Sequence, residues 1–311
     1  MPLDPRVQRF LTILAAGNPP PADQASVAER RAGLAALMSM GRRELPVGNV
    51  EERELNGPSS LSMRMRVYSP AGAEATLPGL LYFHGGGLVA GTLDTHDAVA
   101  RALANACACR LLAVDYRLAP EHPFPAALED AAAALQQIRT RAEEFGIDPE
   151  RLGICGDSAG ANLAAATCHR FLESGAAQPA LQLLLCPILD YSRLTASKRE
   201  FASGYLVDQA TLDHDLKHYL PAGIGANDPR VSPLLSAQVR GLARTLIHTA
   251  QFDPLRDEGQ FYFERLRQNG VDVSYTCHPG MIHLFYGLGA VIPYAREAFE
   301  QIGREVRSAF A

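Results

Sequence analysis

Arg151 to Cys155 (RLGIC) leads into Gly156-Asp157-Ser158-Ala159-Gly160, and Ala161 to Leu172 (ANLAAATCHRFL) leads out. An apolar run of strand length enters a G-x-S-x-G turn, and a run of small helix-forming residues leaves it. This is the strand-turn-helix setting of a nucleophile elbow, which lifts a serine hydroxyl above the C-terminal edge of a sheet. Glycines on either side of Ser158 let the backbone turn sharply. The plainer alternative is a serine turn that merely starts a helix, and the surrounding chain must decide between the two.

Outward from the elbow, strand and helix patterns alternate. Leu80 to Phe83, Leu111 to Val114, Leu181 to Cys186 and Leu246 to Ala250 are short continuous apolar runs, as expected of parallel strands covered on both faces. Met63, Met65 and Val67 alternate with Arg64, Arg66 and Tyr68, the period of a half-buried strand near a sheet edge. Between the strands, Leu128, Ala131, Leu135, Ile138 and Ala142 keep helical spacing after Pro125, and Ala295, Phe299, Ile302, Val306 and Phe310 do so near the C-terminus. Such alternation predicts a doubly wound, mostly parallel α/β sheet. Residues 1–45 carry two helical patterns, Leu3 to Leu14 and Val27 to Met40, the first ended by a turn at Asn18-Pro19-Pro20-Pro21. Asp4 interrupts the basic stretch around Arg6 and Arg9, so the first pattern reads as a helix and not as an export signal. Tyr191 to Pro221 lacks a strand signal and holds a helix over Asp208 to Leu220. Residues 1–45 and 191–221 are read as a cap over a catalytic domain spanning 46–311.

Composition narrows the function classes. The 311 residues are 47 % hydrophobic and 20 % charged, with a formal net charge of -5. That is globular composition without the basic excess of a nucleic-acid binder. No run reaches the roughly 18 apolar residues of a membrane span. Six cysteines without a C-x-x-C pair suit a reducing compartment, and the expected location is cytoplasmic.

A serine hydroxyl needs a base to take its proton and an acid to orient that base. On this kind of sheet the chain order is Ser, then Asp or Glu, then His. Asp253 follows the strand Thr245 to Ala250. His283 follows the strand Val271 to Cys277 by way of a Pro279-Gly280 loop. His278 is the rival base and Asp257 the rival acid, while His248 and Asp157 read as structural. His84-Gly85-Gly86-Gly87, directly after Phe83, is a loop of the type whose backbone N–H groups receive an oxyanion, completed by the N–H of Ala159. Gly85 to Ala90 also fits the looser dinucleotide fingerprint, with Asp115 as its acid. That reading needs a helix to start within Leu88 to Gly91. His214 and His218 have the i, i+4 spacing of a metal pair, but Asp213, Asp215 and Lys217 mark a solvated face, so no metal is expected.

Together, His84 to Gly87, Asp115-Tyr116-Arg117-Leu118-Ala119-Pro120-Glu121, Gly156 to Gly160 and Asp253-Pro254-Leu255-Arg256-Asp257 resemble the hormone-sensitive-lipase-like (bacterial family IV) carboxylesterases of the GDSAG subgroup. The matches run in order over roughly residues 80–285. The resemblance implies an eight-stranded α/β-hydrolase fold with a helical cap, and cofactor-free hydrolysis of short- to medium-chain acyl esters. Carried over by position, Ser158, Asp253 and His283 form the triad. Gly86, Gly87 and Ala159 form the oxyanion hole, to which Gly85 can also belong. Leu88, Leu206, Leu284 and Phe285 are expected around the substrate pocket. Leu88 and Leu284 stand where the family usually has an aromatic residue and a glycine, and Ala161 replaces a usual glycine. The expected partner is a small-molecule ester, and a homodimer is the assembly left open.

Overall fold

Successive residues of the central strands enter two different apolar layers. Leu80 and Tyr82 pack with Leu111 and Ala113, whereas Leu81 and Phe83 pack with Leu112 and Val114 on the opposite face. This is why those stretches read as unbroken apolar runs. The computed structural model describes residues 1–17, 24–42, 45–58 and 61–311; the turn expected at Asn18 to Pro21 lies outside them.

Helices α1 (Pro5–Ala16) and α2 (Val27–Gly41) come first, α2 starting at a capping box of Ser26 and Glu29. Strands β1 (Asn49–Asn56), β2 (Ser62–Ser69) and β3 (Leu77–Phe83) follow, then α3 (Asp97–Cys107), β4 (Arg110–Val114) and α4 (Ala126–Thr140). Next are β5 (Ile147–Asp157), α5 (Ala159–Glu173), β6 (Leu181–Leu185), α6 (Ala196–Glu200) and α7 (Gln209–Tyr219). The chain closes with β7 (Arg244–Phe252), α8 (Arg256–Gln268), β8 (Val273–Ile282) and α9 (Tyr294–Phe310). One eight-stranded sheet runs β1-β2-β4-β3-β5-β6-β7-β8. The pairings of β2 with β1 and β4 are antiparallel and the others parallel. Leu103 of α3 and Ile302 and Val306 of α9 cover one face, while Leu135 of α4, Leu163 of α5 and Leu266 of α8 cover the other. The expected α/β sheet is therefore present, with helices in two layers.

β1 and α3, like the five-residue α6, are elements that the sequence reading does not mark. Strand β1 has only Val50 and Leu55 as apolar residues, because it is an edge strand exposed along most of its length. Helix α3 sits after a long loop and buries Val99, Ala100, Leu103, Ala104 and Cys107 on one face. Another difference concerns the approach to His283. The strand does not end at Cys277 but continues through Pro279 and Gly280 to Ile282, which pairs with Phe252 beyond an irregularity at Ala250. A proline is tolerated there because β8 is an edge strand with one neighbour. No helix begins within Leu88 to Gly91, and α3 starts only at Asp97, so the dinucleotide reading fails on its own requirement.

Candidate active site

The elbow is a tightly packed object. Ser158 has φ 54° and ψ -119°, between β5 and α5, and its N–H donates to the Leu185 carbonyl at 2.8 Å. A Cβ on Gly160 would lie 2.0 Å from the Phe83 carbonyl oxygen, and one on Gly156 would lie 2.3 Å from the Gly160 carbonyl carbon. Only hydrogen fits at either position, so α5 can start directly against the end of β3. The positive φ at Ser158 is the strained conformation that exposes its hydroxyl.

His283 leaves the end of β8 and Asp253 the end of β7, and neighbouring strand ends bring them together. His283 Nε2 is 2.9 Å from Ser158 Oγ, and His283 Nδ1 is 2.8 Å from Asp253 Oδ2. An ionised carboxylate can only accept, so Nδ1 carries the proton and Nε2 is free to accept from the serine. Asp253 Oδ1 accepts the Leu255 N–H at 2.8 Å, which fixes the carboxylate plane. The rivals stand elsewhere. His278 lies between His248 and Tyr294, each 3.2 Å away, and burial, helped by His248, brings it down to about 3. Asp257 accepts the Ser197 N–H at 2.8 Å and pairs with Arg256.

Beside the serine, the amides of Gly86, Gly87 and Ala159 have no acceptor among the described residues, and all three residues line the cavity above Ser158. Gly85 corrects the sequence reading. Its N–H donates to Asp157 Oδ1 at 3.0 Å and is not available to a substrate oxygen. Asp157 also accepts from the Tyr82 hydroxyl at 2.5 Å. Burial opposes its charge, but His96, Tyr82 and His84 outweigh that and hold its carboxyl below the usual range. On the far side of the loop His84 Nδ1 is 2.8 Å from the Gly85 carbonyl, and the Tyr116 hydroxyl donates to the His84 carbonyl at 2.7 Å. Burial brings the His84 imidazole down to about 4, so it is neutral near pH 7.

The cavity has a volume of about 570 Å³. Leu206 and Leu284 line it with Ser158 and His283. Leu88 and Phe285, expected at the pocket, do not: both are fully buried in the two apolar layers, Phe285 against Tyr286 and His278. Leu88 has φ 64°, which turns its side chain into the core. A second, much smaller void behind Ser158 is bordered by Cys186, Tyr286 and Met38. The large cavity is also walled by Leu34 and Arg30 from α2, Ile188 and Tyr191 from the segment after β6, and Asp215 from α7. Sequence reasoning missed these residues, because they come from separate elements and share no local pattern. Asp215 and His214 are moreover buried, against the solvated face expected of α7. Asp215 pairs with Arg30 at 2.7 Å, and His214 Nε2 is 3.1 Å from the Ala25 carbonyl, so α7 turns this face toward α2.

Cys186, Asp253 and His283 offer ligand atoms within 4.8 Å of one another. Burial, reinforced by the Asp253 carboxylate, pushes the Cys186 thiol well up, and Asp253 and His283 are already bonded to each other. A protonated thiol is a poor ligand, so this cluster does not fit a metal.

A family model described as the alpha/beta hydrolase fold matches residues 80–287. The chain is 41 % identical over 246 residues to the carboxylic ester hydrolase LipN of Mycobacterium tuberculosis, spanning 77 % of this chain and 65 % of that protein. It is 33 % identical over 311 residues to an ethyl acetate hydrolase of Pseudomonas putida, spanning 97 % and 98 % of the two. Among solved structures, an ester hydrolase from the metagenome of Lake Arreo, in complex with a bipyridine phosphonate derivative, is 38 % identical. It superposes with a TM-score of 0.95 over 99 % of each chain.

Proposed function

The chain belongs to the α/β-hydrolase fold family, and from that premise we propose that Ser158, His283 and Asp253 hydrolyse short- to medium-chain acyl esters through an acyl-enzyme. The relatives are named ester hydrolases, and this chain is a carboxylic ester hydrolase of the serine type. The observation that carries the mechanism is the Ser158–His283–Asp253 chain of 2.9 and 2.8 Å contacts beside three amides that have no acceptor among the described residues.

His283 Nε2 takes the Ser158 proton as Oγ attacks the ester carbonyl. The oxygen of the tetrahedral intermediate is held by the N–H groups of Gly86, Gly87 and Ala159, donors that are already oriented when charge develops. Collapse breaks the ester C–O bond, and the alcohol leaves with the proton from His283. Water, deprotonated by the same imidazole, then releases the acid. Asp253 holds the imidazole tautomer and stabilises its protonated form. These groups complete the reaction without a cofactor. The described parts of residues 1–45 and 191–221 serve as the cap, of which α2 and the segment through α7 wall the cavity, and the protein acts on small esters in the cytoplasm.

The test is hydrolysis of p-nitrophenyl esters from C2 to C16 by wild type and Ser158→Ala. Turnover on the shorter chains that falls by a factor of about 10⁴ or more in the variant is expected. Turnover that survives the substitution overturns the role of Ser158, and turnover confined to the longest chains overturns the substrate class.

A further inference from the structure

Asp215 is buried at the wall of the cavity, and its carboxylate lies against the oxyanion loop. A Cβ built on Gly87 would stand 1.9 Å from Asp215 Oδ2 and 2.4 Å from its Cγ. Gly87, at φ +68°, therefore leaves room for a carboxylate next to an amide that has no acceptor among the described residues. Taken alone this placement is unfavourable, because the reaction builds negative charge at that amide. Arg30 removes the conflict. Its Nη2 is 2.7 Å from Asp215 Oδ2 and its Nε 3.1 Å from Oδ1, a two-point pairing on the planar guanidinium.

Arg30 is the only Lys or Arg among the described residues that line this cavity, whereas Glu29, Asp208 and Asp215 all line it. Glu29 is engaged with Ser26, and Asp208 caps α7 through Thr211. Further titratable neighbours of Asp215 are His214, whose Nδ1 is 3.1 Å from Oδ1, and Tyr191, which lines the same cavity and feels the Asp215 charge. Arg30 comes from α2 and Asp215 from α7, so the charge balance at the oxyanion loop depends on two cap segments meeting above it.

We infer that Arg30 is a positioning residue for ester hydrolysis: its guanidinium neutralises and orients Asp215 beside Gly87, so that the oxyanion hole is effective only when α2 is seated on α7. The inference rests on the reading of Ser158, Gly86, Gly87 and Ala159 given above. Two unit charges a few ångströms apart in a partly dry cleft change a rate by about tenfold or more. Their interaction falls on the transition state, so it is read in kcat.

The experiment measures kcat and KM for p-nitrophenyl butyrate, with melting temperatures, for wild type, Arg30→Met and Arg30→Met combined with Asp215→Asn. Arg30→Met is expected to lower kcat about tenfold or more with KM changed less than about threefold. Adding Asp215→Asn is expected to raise kcat again by about fivefold, because the unpaired anion is gone. An ion pair that only ties two helices together predicts no recovery, and kcat unchanged or lower in the double variant overturns the inference. If Arg30→Met does not fold, Arg30→Lys and Arg30→Gln take its place. The lysine keeps the charge without the two-point pairing and is expected to lose about threefold in kcat, the glutamine about tenfold; equal losses overturn the inference. Loss of the reading beneath it looks different, because it appears as wild-type protein without ester turnover or as turnover that survives Ser158→Ala.

Discussion

The Asp157 carboxylate accepts the Gly85 N–H at 3.0 Å, tying the residue before the nucleophile to the loop that presents Gly86 and Gly87. The nucleophile's turn and the oxyanion loop are thus joined by one buried charge, which also accepts from Tyr82. Asp157→Leu is expected to lower kcat about a hundredfold, the scale of a lost oxyanion donor, and to lower the melting temperature. Steady-state kinetics on p-nitrophenyl acetate would check it; a variant that lost only stability would show that the loop holds its shape without this bond.

Gly160 bears on the fold as much as on the site. An alanine there would put its Cβ 2.0 Å from the Phe83 carbonyl oxygen, a backbone atom that cannot swing aside. Gly160→Ala is expected to destabilise the protein by about 3 kcal/mol, the upper range for overpacking. Gly33→Ala in α2, where a Cβ would meet nothing within 4 Å outside the helix's own backbone among the described residues, is expected to be neutral or slightly stabilising. Urea unfolding of the two variants compares them directly, and equal midpoints would contradict the packing argument.

Three buried histidines set a pH limit. Burial brings His84 and His169 down to about 4 and His278 to about 3, from an ordinary 6.5. Unfolding frees them to take up protons, so their contribution to stability is complete above pH 6.5 and is lost as pH falls toward 4 and then 3. Thermal melts between pH 8 and pH 4 should show a midpoint that is steady above about 6.5 and falls steadily below it. A midpoint constant down to pH 4.5 would mean that these imidazoles are not held neutral.

Lys198 and Glu258 form an ion pair of 2.6 Å with side chains 4 % and 0 % exposed. Glu258 also accepts the N–H groups of Leu189 and Asp190, where the chain leaves the sheet after β6, and Lys198 donates to the Asp190 carbonyl. Lys198→Met leaves an unpaired carboxylate in the core and is expected to destabilise by about 3–5 kcal/mol. Lys198→Met with Glu258→Gln should recover part of that loss. Equilibrium unfolding of the single and double variants decides the point, and a double variant no more stable than the single one would refute it.

What the sequence by itself determined is what depends on neighbours along the chain. Apolar runs marked the central strands because both faces of each are covered, and helical spacing marked α4 and α9. The G-x-S-x-G turn was legible because the sharp turn between β5 and α5 leaves no room for a Cβ two residues before or two residues after the serine. The same local logic placed Asp253 and His283 near strand ends, although β8 reaches further than the sequence suggested because an edge strand tolerates Pro279. The tertiary structure alone decided which groups meet. Gly85 reads like its two neighbours until Asp157, 72 residues away in sequence, takes its N–H. Leu88 and Phe285 look like pocket residues until the fold buries both in the core. Arg30 and Asp215, 185 positions apart, carry no common pattern, and α7 reads as a solvated face until α2 covers it. Periodicity records what a residue does for its own element; the charge balance of a cavity is set by elements that only folding brings together.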